Sequence, residues 1–229
     1  MNKEFIYAIP GLGFDHRIYE GINIRDKELH YLNWIEPELN ESIKNYAKRM
    51  AEKIKHDPAN CILIGHSFGG IIAQEIAALI PIKKIVLISS IKSRKENTLN
   101  FKMVAPFRVH RFVSKKMTLN TFDYWGKYFG YETKEVQVLF KKMVALQSEQ
   151  YLRWALYNLS IWKGVEGNKV PITHIHGSKD KTFPIKNINE PFVKIEGGTH
   201  MMVFNKPELM SKILNENLIA DSTSSTVSN

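Results

Sequence analysis

Residues 61–80 read CILIGHSFGGIIAQEIAALI: an apolar run, a single hydroxyl, then a second apolar run. Ile62, Leu63 and Ile64 have the unbroken apolar character of a strand buried on both faces, and Ile71 to Leu79 has that of a buried helix. Ser67 stands at the join. A serine in that position can act as a helix N-cap, accepting from an unpaired N–H of the first turn, but a cap needs no glycines around it. Here Gly65 and Gly69 bracket the serine as G-x-S-x-G, the spacing of a nucleophile elbow, in which a tight, strained turn lifts the side chain above the sheet. Small residues are required on either side because strand and helix backbones approach closely there, so the elbow is the better reading of this stretch.

Outward from this junction the alternation continues. Residues 4–9, EFIYAI, read as a strand that stops at Pro10 and Gly11, and the loop PGLGFDHRIY follows. A second strand is expected over 29–35. A helix is expected from Glu38 to Lys55, with Leu39, Ile43, Tyr46, Ala47, Met50 and Ile54 close to one face. The elbow strand covers 61–66, its helix 68–79, and KKIVLISS at 83–90 gives a further strand. After Pro171 come ITHIHGSKD and PFVKIEGGTH, then a helix from Pro207 to about Leu218, with the proline in the first turn where its missing N–H costs nothing. Strands alternating with helices predict an α/β fold: a mostly parallel sheet flanked by helices on both faces.

Residues 92–165 break that rhythm. They are rich in aromatics (Phe101, Phe107, Phe112, Phe122, Tyr124, Trp125, Tyr128, Phe129, Trp154, Trp162), and VQVLFKKMVAL and EQYLRWALYNL have helical spacing. The expected organisation is a core over 1–91 and 166–219 with a helical lid inserted over 92–165. The last ten residues, ADSTSSTVSN, lack apolar periodicity and are expected to form a flexible tail.

A chain of 229 residues accommodates one α/β domain. No apolar run reaches the roughly 18 residues of a membrane span, and the amino terminus has no long apolar segment before a cleavage site, so a cytoplasmic protein is expected. The single cysteine, Cys61, excludes an internal disulfide and a cysteine-rich metal site, and its place at the start of a buried strand makes it core filler. The net charge of +9 admits nucleic acid, anionic lipid or acidic substrates as partners. The basic residues read as spread along the chain, with neither a zinc-finger nor an RNA-binding aromatic pattern. Solvated lysines are the expectation, and no nucleic-acid partner.

An alcohol at its free pKa is a poor nucleophile, so Ser67 needs a base, and the base needs an orienting group. Behind an elbow these follow in the order serine, acid, histidine. HGSKD supplies Asp180 after one strand, and EGGTHMMVF places His200 in a glycine-rich loop after the last. Asp180 is expected to fix the imidazole tautomer and His200 to take the serine proton. Asp15, Asp123 and Glu196 are weaker candidates for the acid, while His176 and His66 are expected to be structural. The backbone N–H groups of Phe68, directly after the serine, and of Leu12, in PGLG, are the expected oxyanion donors.

Together GHSFGG, PGLG, HGSKD and GGTHMMVFNKPELM resemble the α/β-hydrolase superfamily over nearly the whole chain outside the lid and tail. The chain begins at what looks like that family's third strand, which implies a reduced sheet of about six strands. Its oxyanion loop departs from the usual His-Gly start by carrying Pro10 and Gly11. The histidine segment is similar to that of small plant-type esterases and hydroxynitrile lyases. The resemblance implies a serine hydrolase acting on a carboxylic ester or thioester, with no metal or organic cofactor and a small-molecule substrate. The lid aromatics are then expected to line an apolar acyl pocket, and the lid's Lys and Arg residues to meet an anionic part of the substrate. The same residues also suit a lyase or carbon–carbon bond hydrolase, or a non-catalytic ligand-binding protein of this fold.

Overall fold

A computed structural model describes residues 3–130 and 133–223. In chain order the elements are β1 (Phe5–Ile9), β2 (Leu29–Tyr31), α1 (Ile43–Ala51), β3 (Cys61–His66), α2 (Phe68–Ala77) and β4 (Lys84–Ile88). Five helices follow: α3 (Leu99–Lys102), α4 (Lys115–Asn120), α5 (Phe122–Phe129), α6 (Lys134–Leu146) and α7 (Glu149–Ile161). The chain closes with β5 (Ile172–Gly177), β6 (Val193–Ile195), α8 (Met202–Asn205) and α9 (Pro207–Thr223).

The six strands form one sheet in the order β2-β1-β3-β4-β5-β6, every neighbouring pair parallel. This is the α/β-hydrolase arrangement that the motifs imply. Parallel pairing puts all the carboxyl ends on one side, and the direction in which the chain adds strands reverses between β1 and β3. At such a switch point the loops leaving the two strands diverge and open a crevice. Ile9 pairs with Gly65, so the PGLG loop and the serine turn leave the sheet side by side. β3 and β4 are buried along their whole length, as their apolar runs require. Phe140, Met143, Tyr151 and Leu152 of α6 and α7 belong to the same contiguous buried cluster as the strands. Cys61 is buried in that core, its thiol donating to the Asp57 carbonyl at 3.2 Å.

Element boundaries differ from the expectations at several ends: α1 closes at Ala51 rather than Lys55, α2 at Ala77 rather than Leu79, and β4 spans Lys84–Ile88 rather than 83–90. β2 stops at Tyr31, because beyond Leu32 the chain leaves the sheet edge and carries Trp34 across to the PGLG loop. α1 begins at Ile43, where Ser42 caps it by accepting from Asn45 N–H at 3.2 Å. Just upstream Asn40 takes a left-handed φ of 56°, which no helix interior contains, so Leu39 falls outside the helix and is 87% exposed. At the other end, α9 continues to Thr223, past Leu218 and into the expected tail. The remainder of that tail, 224–229, and the side chains of Tyr128 and Phe129 lie outside the described residues. Among the described residues no helix is long and apolar enough to cross a membrane.

Candidate active site

Ser67 adopts φ 52° and ψ −121°, a region that L-residues avoid at a cost of roughly 1–3 kcal/mol. The turn is held from several sides. Ser67 N–H donates to the Ile88 carbonyl of β4 at 3.0 Å, and the Ser67 carbonyl accepts from Gly70 N–H at 3.0 Å and from the Ser90 hydroxyl at 2.7 Å. A β-carbon at Gly65 would lie 2.4 Å from the Gly70 Cα, and one at Gly69 would lie 2.3 Å from the Ile9 carbonyl oxygen. The two glycines are therefore there for close approach. Ser67 precedes α2 but makes no capping hydrogen bond with its side chain, which rules out the simple cap reading.

The hydroxyl is instead directed at His200. Ser67 Oγ lies 3.0 Å from His200 Nε2, and His200 Nδ1 lies 2.9 Å from Asp180 Oδ2. The carboxylate accepts only, so Nδ1 carries the imidazole proton and Nε2 offers its lone pair to the serine. The other oxygen of Asp180 accepts from the N–H groups of Thr182 at 2.8 Å and Phe183 at 2.9 Å, which fixes the plane of the carboxylate. Burial on its own pushes the Asp180 carboxyl up. The charge and hydrogen bond of His200, with smaller contributions from His176 and the Phe183 N–H, outweigh it and hold the group below the usual aspartate range. Asp180 is thus held as an anion against the His200 ring.

The loop carrying His200 is tied to β5, with Lys179 N–H donating to the Gly198 carbonyl at 2.8 Å and Ser178 Oγ accepting from Gly197 N–H at 2.8 Å. His66 supplies a further tie that the sequence did not reveal. Its Nε2 donates to the His200 carbonyl at 2.9 Å, so it holds the backbone of the His200 loop. Burial, aided by the nearby His200, drives its pKa down to about 3, which keeps it neutral. His176 is packed as expected and donates from Nε2 to the Phe183 carbonyl at 2.7 Å. The weaker acid candidates are all engaged elsewhere: Asp15 with Arg17, Asp123 with Lys141, and Glu196 with Ser178 and Lys194.

Leu12 lines the same cavity as Ser67, and Phe68 directly follows the serine. Phe68 opens α2, so its N–H has no acceptor inside the helix. Leu12 is the second residue of a turn closed by Phe14 N–H donating to the Gly11 carbonyl at 3.1 Å, and its own N–H takes no part in that bond. Trp34 Nε1 also donates to the Gly11 carbonyl, at 3.1 Å, and steadies the loop from the β2 side.

Above Ser67 and His200 is a mainly apolar cavity of about 300 Å³. Of the expected aromatics, Phe101 and Trp125 line it. Phe122 is buried in the core, whereas Phe107, Phe112 and Tyr124 face outward. Much of the wall is Leu152, Leu156 and Leu159, which the sequence reading did not single out. Their i, i+4, i+7 spacing on α7 was the available signal. A larger cleft, about 750 Å³, opens on the other side of α7 and does not reach the serine.

The match to known proteins agrees with this geometry. Residues 6–212 fit the model of the "Alpha/beta hydrolase family", and the chain belongs to that family. Hydrolysis is the class of chemistry that this membership supports. No curated protein matches the chain by sequence. Among solved structures, a carboxylesterase of the ammonia-oxidizing thaumarchaeon Nitrososphaera gargenis superposes with a TM-score of 0.73 at 16% identity, over 97% of this chain and 92% of that one. The esterase EaEST of Exiguobacterium antarcticum gives 0.72 at 14% identity, over 95% and 92% of the two chains. The enol-lactonase of Burkholderia xenovorans LB400 gives 0.67 at 15%, over 96% and 92%. At such identities the likeness is one of fold.

Proposed function

We propose that the protein is a serine hydrolase that cleaves a carboxylic ester or thioester through an acyl-enzyme. The observation that carries this reading is the continuous relay from Ser67 to His200 to Asp180, at 3.0 and 2.9 Å, at the floor of an apolar cavity. Ser67 Oγ attacks the substrate carbonyl as His200 Nε2 takes its proton, and Asp180 stabilises the imidazolium that results. The carbonyl oxygen becomes an oxyanion between the N–H groups of Leu12 and Phe68. Collapse of the tetrahedral adduct breaks the bond to the leaving oxygen or sulfur, which receives the proton from His200. Water then attacks the acyl-enzyme, giving its proton to the same nitrogen, and the carboxylic acid leaves as the Ser67 hydroxyl is restored.

In this reading residues 92–165 act as a lid on the core formed by 1–91 and 166–219. Phe101, Trp125 and the leucine face of α7 receive an apolar acyl group, whose burial contributes about 0.8 kcal/mol per methylene. The test is Ser67→Ala assayed on p-nitrophenyl esters, with a fluorophosphonate probe applied to the unmodified protein. The expected result is labelling at Ser67 and a fall in turnover of several orders of magnitude, leaving on the order of 10³ over water from binding and the oxyanion donors. Retention of most activity by Ser67→Ala would reject the mechanism.

A further inference from the structure

The charge is less evenly spread than the sequence reading expected. Residues 92–116 hold eight Lys and Arg residues and one acid, Glu96, so this stretch carries +7 of the chain's +9. Glu96 is fully buried and spends its carboxylate inward, accepting from the N–H groups of Lys92 and Asn189. Arg108 and Arg111, both exposed, have no carboxylate partner among the described residues. They border the larger cleft on the outer side of α7, where Arg153 also lies.

The same stretch leaves large apolar side chains in water: Leu99 is 70% exposed, Phe107 67%, Val109 46% and Phe112 75%. α3 and the 3-10 turn at Val109–Phe112 both pack on α7, so the segment that carries these residues runs along that one helix. Between them the backbone is compact, with Val109 N–H donating to the Val104 carbonyl at 2.9 Å and Arg108 N–H to the Ala105 carbonyl at 3.0 Å. Leu39, which the late start of α1 leaves outside the helix, also lines that cleft. An exposed apolar patch interleaved with unpaired cations marks an interaction surface.

We infer that this face docks on an anionic lipid bilayer, with Phe107 and Phe112 entering the acyl–headgroup boundary and Arg108 and Arg111 meeting lipid phosphates. Two rival occupants fit less well. A symmetric contact with a second copy sets a strongly positive face against itself. A nucleic acid satisfies the cations and stacks on phenylalanine, but it has no use for the exposed Leu99 and Val109, which hydrocarbon accepts. Each cation near an anionic leaflet contributes roughly a fivefold gain in binding, and the aromatic insertions add to it. The inner side of the same segment, through Phe101 and Val113, lines the cavity above Ser67, so docking sets the cavity wall against the lipid-facing surface. The inference concerns binding and does not depend on the reaction.

The test is flotation of the full chain with phosphatidylcholine vesicles and with vesicles that also contain phosphatidylglycerol. Phe107→Ser/Phe112→Ser and Arg108→Glu/Arg111→Glu double variants are run alongside, with far-UV circular dichroism reporting that each is folded. The expected result is salt-sensitive binding to the anionic vesicles alone, weakened about tenfold or more by the serine pair and on the order of a hundredfold by the glutamate pair. The circular dichroism spectrum should be the same in all three proteins. Equal binding to both vesicle types, binding unaffected by either double variant, or no vesicle binding would overturn the inference. It is equally overturned if a single-stranded oligonucleotide is bound while vesicles are not, or if sedimentation shows a dimer that the serine pair dissociates.

Discussion

Replacing Gly69 with alanine tests how closely the serine turn and the oxyanion loop are fitted to each other. The added methyl would lie 2.3 Å from the Ile9 carbonyl oxygen and 2.4 Å from that of Pro10, where ordinary contact begins near 3.4 Å. Relief therefore demands about 1 Å of separation between α2 and the end of β1. Neither side yields freely. The Ile9 carbonyl accepts from the Tyr19 hydroxyl at 2.8 Å, and the adjoining Gly11 carbonyl is held by Trp34 and Phe14. Overpacking of this kind costs about 1–3 kcal/mol of stability. The loop that moves carries Leu12, so the donor on one side of the proposed oxyanion moves by the same distance. A displacement of that size lowers turnover about a hundredfold. Urea denaturation gives the stability change, and kcat on a p-nitrophenyl ester, measured where the variant is fully folded, gives the rate change. Wild-type kcat in a protein destabilised by the expected amount would refute the idea that the Leu12 loop must be held against the elbow.

Two further outcomes are expected. Asp180→Asn turns an amide N–H toward His200 Nδ1, favours the tautomer with its proton on Nε2, and so removes the acceptor for Ser67; kcat should fall on the order of 10³- to 10⁴-fold with little change in KM, and a loss under tenfold would contradict the assigned tautomer. Acid should destabilise the fold well before most carboxylates titrate. Burial, helped by neighbouring His200 and His176 respectively, pushes His66 and His174 from 6.5 down to about 3. The unfolded chain therefore binds protons that the native chain refuses. Stability is full above pH 6.5 and declines as pH falls toward 3, at about 1.4 kcal/mol per pH unit for each histidine. Urea midpoints between neutral pH and about 5 should fall accordingly, with a shallower slope in His174→Gln; a flat profile would show that these rings are not held neutral by the fold.

Much of the fold was legible because its signals are local. The buried strands announce themselves as uninterrupted apolar runs, and β3 matches its expected limits residue for residue. Where local signals competed, the boundaries moved. The Glu38–Lys55 periodicity included Leu39, but Asn40 and Ser42 terminate the helix between them. The expected β2 lost its second half to a loop, since Trp34 gains a hydrogen bond to Gly11 that lies 23 positions away and leaves no mark in the nearby sequence. Within residues 92–165, aromatic content alone did not separate Phe101 and Trp125, which line the cavity, from Phe122 in the core or Phe107 and Phe112 in water.

What the sequence determined by itself is the set of chemical groups and their order: a serine in a glycine-bracketed turn, then an aspartate, then a histidine, each just beyond a strand. Parallel pairing follows from the same pattern, and it obliges those strand ends to gather on one side. Only the tertiary structure decided distances and faces. That Ser67 Oγ comes within 3.0 Å of His200 Nε2, that His66 bonds the His200 backbone, and that Arg108 and Arg111 border a cleft that Leu39 also lines all depend on contacts between residues far apart in the chain. Such contacts are set by packing and burial, which a linear pattern constrains without specifying.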